Sequence, residues 1–461
     1  MAKKLFDPIV EEGRLHPSFQ VVRNSPPHHP GRDMMEEIFR TYEDVDGNFL
    51  EQFQTTAFDA RCFELYVYAF LSREGYTLDR SKPNPDFLIQ KDDIAAAIEV
   101  TTVNPATSGP LTTSGKKISD MSQTELREYE QNELAIRFGS PLYSKLQKKY
   151  WELPHCKGTP LVFFIQAFHA QEALAFSDSA LSSYLYGLSQ TGTWSVEGEL
   201  SVSSAQVQEH SVEGKTIPSN FFQLPGAEHV SAVVFSNSGS LAKFDRLGFH
   251  HGYGNETYNV TRFGTSFNPD PDAMDPTLFI YDVGQPPFVE TWGQGLVVNH
   301  NPNALHPLPD GFFGQVVDTR FQDNRMVSSL RGWHPIATNT LVMHLHEAKA
   351  KLGHLLVRPG VAVGAINKRE FQAIIGLNHD ENPLIEEQGW FADETNSFLG
   401  VVLFDKQDED WGWVILARDP RFRFRAIETD SSLSSRREAC QAMQQRICDL
   451  LMQPKRIFVQ D

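Results

Sequence analysis

Residues 160–168 read PLVFFIQAF, and no other stretch restricts the fold of this chain as strongly. A short, uninterrupted apolar run of this kind is the mark of a strand covered on both faces, so other elements must lie above and below it. The residues before it supply candidates for that cover. In FDARCFELYVYAFLSREGY (58–76), Phe63, Val67, Phe70 and Leu71 fall at helical spacing and Gly75 closes the segment. Two strand-like runs follow, 87–89 and 94–103. Residues 104 to about 121 are rich in Thr, Ser, Gly and Pro and predict a mobile loop. A helix is expected from about Ser122 to Gln131, leading into a short apolar run at 134–138. In GSPLYSKLQKKYWELP (139–154), Ser140 reads as an N-cap with Pro141 in the first helical position. Leu142, Leu146 and Tyr150 then form the apolar stripe of that helix, and Lys145, Lys148 and Lys149 share its other side. Helix, two or three strands, helix and buried strand, in that order, predict an α/β layer fold with a crossover.

Two acids punctuate the strand-like runs. In PDFLIQKDDIAAAIEVTTV (85–103), alternation puts Ala95, Ala97, Glu99, Thr101 and Val103 on one face of the second strand. If Asp92 and Asp93 are the turn, Asp86 falls directly opposite Glu99. Cross-strand neighbours have Cβ atoms roughly 4.5–5.5 Å apart, close enough for two carboxylates to share one cation. A hard divalent cation suits such a pair, because Mg²⁺ takes one or two carboxylates, keeps several waters and accepts a substrate phosphate. An acid set between apolar residues, as Glu99 is, is costly without a partner.

A helix carrying an acid, "PD" on one strand, "E-x-K" on the next, then helix and strand form the core of the PD-(D/E)XK nuclease superfamily. This sequence resembles that core over about residues 57–170, with Pro85-Asp86 matching the "PD" and Glu99 the second acid. The resemblance implies a restriction-endonuclease-like mixed sheet flanked by helices, with Asp86 and Glu99 as ligands of Mg²⁺ or Mn²⁺. It implies metal-dependent cleavage of nucleic acid, DNA first and RNA second, in restriction or anti-phage defence. Glu64, on the preceding helix, resembles the extra acid of many members. The departure is Thr101, which stands where the motif lysine belongs; its hydroxyl can position a water but cannot neutralise charge. Relocation of that lysine to the following helix makes Lys145 the first candidate and Lys149 the second, with Gln147 and Tyr150 beside them; Lys82 is a third. A binding module that kept the fold and lost activity with the lysine is the alternative. Cutting both strands would call for a homo-oligomer or a protein partner.

Charge bears on the choice of polymer. The formal net charge is −18, which argues against a general nucleic-acid coat. Locally, Arg137, Lys145, Lys148, Lys149 and Lys157 face only Glu152 between positions 137 and 157, a basic patch on an acidic body. The four cysteines have no metal-ligand spacing, and with no signal-peptide pattern and no membrane-length apolar run they predict a reduced, cytoplasmic protein.

The remaining sequence sets the expected organisation. Residues 1–35 predict an extended N-terminal arm, 36–190 the nuclease-like core, 191–335 a β-rich extension of its sheet through HVSAVVFSNSG, and 336–461 a small α+β domain. In the last region FLGVVLF, WGWVILA and FRFRAIE read as strands before a helix from about Ser435 to Gln453. His28-His29, His250-His251, and His344, His346 and His354 invite a metal reading, but in a helix positions i and i+2 point to different sides. DKQDED (405–410) lacks the spacing and glycine of a calcium loop. Arg418, Arg421, Arg423 and Arg425 alternate with aromatic residues and would share a strand face suited to phosphate or an acidic partner.

Overall fold

The computed structural model describes residues 4–105, 112, 115–194, 200–254, 258–268, 276–284, 289–344, 363–366, 385–393, 398–406, 409–418 and 424–452. The chain divides into two compact units, Met1–Val342 and Met343–Asp461. The fold is mixed α/β, built on a large mixed sheet flanked by helices, with smaller sheets beside it.

The first unit holds an eight-stranded sheet. It begins with β1 (Thr77–Asp79), β2 (Phe87–Lys91) and β3 (Ile94–Val103), paired antiparallel, and β4 (Leu161–Ala167), parallel to β3. Strand Val230–Ser236, the HVSAVVFS run, continues parallel beside β4, and Leu296–His300, Val317–Gln322 and Arg325–Leu330 complete the sheet. All seven residues of β4 are buried. Its alternation serves two cores: Val162 and Phe164 join one, while Leu161, Phe163, Ile165 and Ala167 join the other. Each fully buried Phe contributes roughly 1.5–3 kcal/mol, which is why a strand of this composition requires cover on both faces.

The first core is covered by α1 (Pro17–Asn24), α2 (His29–Phe39), α3 (Phe49–Gln54) and α4 (Phe58–Arg73). From Cys62 to Leu71 every residue of α4 is buried. The expected extended arm is therefore largely helical. Leu5, Phe6, Leu15, Phe19 and Val22 enter the core, and His16 Nδ1 accepts from the Ser18 N–H to cap α1. Two helices this short, each carrying a proline near its start, leave too few turns for a hydrophobic period to show in the sequence.

The second core is covered by α5 (Gln123–Glu128) and α6 (Ala135–Leu146), joined by a π-helical turn, Tyr129–Leu134. This is one continuous helical segment, so Ser140 and Pro141 lie inside it rather than at a start. The Ser140 hydroxyl donates back to the Ile136 carbonyl, 3.0 Å, instead of capping. His210 Nδ1 lies 2.6 Å from the Gln131 carbonyl within the π turn.

The second unit is a five-stranded antiparallel sheet with the helix Arg436–Met452 against it. Gly400 is the point of closest approach, since a Cβ there would lie 2.4 Å from the Met443 sulfur. Arg421 and Arg423 and the side chains of Arg418 and Arg425 lie outside the described residues, as do His346, His354 and the side chain of His344. Among the described residues no helix is long and apolar enough to cross a membrane.

Candidate functional site

The hairpin joining β2 to β3 fixes the acidic pair. Lys91 pairs with Ile94, leaving Asp92 and Asp93 as a two-residue turn, with φ of 49° and 64°. Both residues are left-handed, the geometry of the hairpin turn that matches strand twist, and Asp tolerates it better than most residues. Phe87 pairs with Ile98, so the next position along brings Asp86 opposite Glu99. Asp86 is anchored there by its Oδ2, which accepts from the Val100 N–H at 2.7 Å.

Glu99 is 3% exposed, on the face of β3 that α6 covers. Its Oε1 accepts from Lys145 Nζ, at the end of α6, and from the Tyr150 hydroxyl at 2.7 Å. Its Oε2 is buried with no hydrogen-bond partner. Burial, then the neighbouring Glu99 and Glu64 charges, push the Asp86 carboxyl well above the usual carboxylate range, against the pull of the Val100 N–H and Lys145. Burial and Glu99 likewise push the Tyr150 hydroxyl up, so it stays a donor. The two carboxylates are thus close, poorly hydrated and incompletely paired. Thr101, 9% exposed, is two residues further along the same face.

The other acid and the other lysine have partners of their own. Glu64 is buried, but its oxygens are taken up by the Tyr42 hydroxyl, by Arg61, and by Arg80 Nη2 at 3.3 Å. Two guanidiniums and a phenol leave it a poor metal ligand. Lys149 is not on the helix at all. α6 ends at Leu146, Lys149 is left-handed with φ 50°, and its ammonium stands 3.5 Å from Glu152, more than half exposed. Lys148 and Gln147 are exposed beside it. Lys82 is exposed and lines a cavity with Tyr42, Asp44, Asp46, Arg61, Glu64, Arg80 and Asp86. Tyr42 and Arg80 carry no period or motif that would single them out, and only the position of Arg80 six residues before Asp86 hints at its place.

The histidine pairs are used elsewhere. His28 Nδ1 binds Asp245 at 2.7 Å, and His251 Nδ1 lies 2.8 Å from the Leu247 carbonyl. Among the described residues no cluster of three or more His, Cys, Asp or Glu is placed to hold a metal ion. The Asp86–Glu99 pair is a smaller donor set, and its chemistry fits a magnesium-like ion: two carboxylates, one with a buried orphan oxygen, the other lining a cavity. No protein-family model, no curated protein and no solved structure matches the chain.

Proposed function

We propose that this protein is a divalent-cation-dependent nuclease that hydrolyses phosphodiester bonds, DNA before RNA, using Asp86, Glu99 and Lys145. The observation that carries the reading is the pair itself: buried Glu99 keeps an unpartnered oxygen, and half-buried Asp86 is pushed toward protonation beside it. A protein stores such an arrangement at a cost, and a cation removes the cost. Asp86 and Glu99 would hold Mg²⁺ or Mn²⁺. When bound, that ion polarises the phosphoryl group and lowers the pKa of an attacking water.

The chain's own groups supply the rest. The Val100 N–H and the Tyr150 hydroxyl fix the two carboxylates in place. Lys145, held by Glu99, donates to the phosphoryl oxygens as negative charge grows on them, the role the motif lysine would have had at position 101. The order of elements, from a helix through an antiparallel acidic hairpin and a helix to a parallel buried strand, supports the reading. A setting in restriction or anti-phage defence follows from the resemblance alone.

A second reading, a nuclease-fold binding module without activity, is favoured by Thr101 at the lysine position and by the net charge of −18. The two separate in one experiment. Purified protein is incubated with supercoiled plasmid, linear duplex, single-stranded DNA and RNA in Mg²⁺, Mn²⁺ or EDTA, beside Asp86→Ala and Lys145→Ala. Cation-dependent cutting that disappears in Asp86→Ala is the expected result. Absence of cutting together with absence of Asp86-dependent Mn²⁺ binding would leave the binding module standing.

A further inference from the structure

The cavity on the Asp86 side of the pair is lined by Arg61, Arg80 and Lys82 and, against them, Asp44, Asp46, Glu64 and Asp86. We infer that it is the seat of a second phosphate of the substrate strand, held by Arg80 and Lys82 with Arg61 behind them, and that it accepts that phosphate only after the cation has bound. The inference rests on the nuclease reading and names where the polymer lies.

Three features support it. First, the guanidiniums are positioned in advance. Arg80 lies over the Tyr42 ring at 3.8 Å and near the Phe87 ring at 5.2 Å, and its Nη1 donates to the Glu43 carbonyl. Arg61 is tied to Gln52 and Glu64. Guanidiniums immobilised in this way lose little freedom on meeting a phosphate; the Arg61 nitrogens and both Arg80 Nη atoms already donate within the chain, which leaves the second hydrogens of the Nη groups and the positive charge for it. Second, Glu64 makes sense here. As a metal ligand it is already spent, but as the shared anchor of Arg61 and Arg80 it turns both toward one cavity wall.

Third, the charge count sets an order of binding. Arg61, Arg80 and Lys82 face Asp44, Asp46 and Glu64, with Asp86 beside them, so the cation-free cavity has no excess of positive charge to draw in a phosphate. A divalent ion on Asp86 and Glu99 adds positive charge at its wall and makes the same wall attractive. Lys82 is exposed and lines the same cavity, within reach of a strand in solution.

The test is binding without turnover. A fluorescein-labelled oligonucleotide, single-stranded or duplex, is titrated by anisotropy in Ca²⁺ or in EDTA, over a range of salt, with inorganic phosphate as competitor. Binding is expected in Ca²⁺ and not in EDTA. Arg80→Gln should weaken it by roughly ten-fold, as loss of a charge-assisted contact does. Lys82→Ala, a surface change that leaves folding intact, should lower the slope of log affinity against log salt by about one. Mn²⁺ binding, followed separately by electron spin resonance, should be unchanged in both variants. Equal affinity of the wild type in Ca²⁺ and EDTA, or unchanged affinity and slope in both variants while Mn²⁺ still binds through Asp86, would overturn the inference and leave the nuclease reading intact. Loss of Mn²⁺ binding in the wild type would fell the reading itself. Displacement of the oligonucleotide by millimolar phosphate alone would assign the seat to free phosphate and overturn the polymer assignment.

Discussion

Two buried charge clusters in the first unit show opposite ways of placing a carboxylate out of water. Glu290 is met by Lys243 at 3.1 Å, by Arg246 at 2.7 Å, and by Arg262 at 3.5 Å. Arg262 is itself enclosed by the Phe279, Tyr281 and Trp333 rings at 5.6, 6.0 and 5.5 Å. Burial works to raise the Glu290 carboxyl, but the three cations outweigh it and hold the group well below its ordinary range. Burial in turn pushes the Lys243 ammonium down to about 7. Around Asp86 and Glu99 the balance is reversed: two acids share one lysine, and one oxygen has no partner. In the first cluster the chain itself surrounds the carboxylate with cations, and the group left without a partner is a nitrogen, Arg262 Nε. In the second the acids are in excess and the group left without a partner is a carboxylate oxygen, Glu99 Oε2, which is the donor a cation takes; that difference separates a structural ion cluster from a candidate site.

The sharpest way to break the comparison is at Asp86. Asp86→Asn keeps the shape and the bond to Val100 while removing the charge, so cation-dependent cleavage should fall by roughly a thousand-fold or more if the pair carries the ion. Retained cleavage in a plasmid assay would end the assignment. The matching change in the other cluster is Glu290→Gln. It strands three buried cations and should cost about 3–5 kcal/mol in urea denaturation, with no dependence on divalent ions. A loss below 1 kcal/mol would mean that the cations there relax, and the contrast would fail.

A smaller effect follows from the raised Asp86 carboxyl. The folded, cation-free protein holds a proton that the unfolded chain releases near the ordinary carboxylate range. The contribution of Asp86 is therefore fully present at low pH and is lost as pH rises through the folded value. A divalent ion relieves that loss, so Mn²⁺ at about 100 times its dissociation constant should stabilise the protein by about 2.7 kcal/mol at neutral pH and less in acid. A melting shift independent of pH, or present equally in Asp86→Asn, would count against the pair. The smallest expected effect is at Lys149, which is exposed beyond the end of α6. Lys149→Ala should change stability by less than about 0.5 kcal/mol and leave cleavage unaltered. A large loss of cutting would restore Lys149 as the relocated lysine.

What could be read in the sequence was what local pattern dictates. The PLVFFIQAF run specified a strand between two cores, and alternation along 94–103 placed Glu99 and Thr101 on one face. The Asp92-Asp93 register followed from counting, although Asp-Asp is not a favoured pair for that turn. Ser140-Pro141 misled because the same two residues that open a helix can sit inside one that arrives from a π turn. With the helix starting earlier and ending at Leu146, Lys149 leaves the lysine face, and Lys145 at its last turn remains. The ties of Glu64 to Tyr42 and Arg80 are made by side chains 22 and 16 residues away, through a fold that no local spacing encodes.

The two left-handed aspartates act as a ruler. They sit six and seven positions from Asp86, and seven and six from Glu99, yet they decide that these two acids meet. One residue added to that turn would slide β2 against β3 and carry the Asp86 carboxylate to the opposite side of the sheet, with every site residue still present in the chain. Replacing Asp92-Asp93 by Asn-Gly would do the reverse, tightening the hairpin while leaving the acids where they are. The chemistry at one end of this hairpin is therefore adjustable from the other, by length and not by composition.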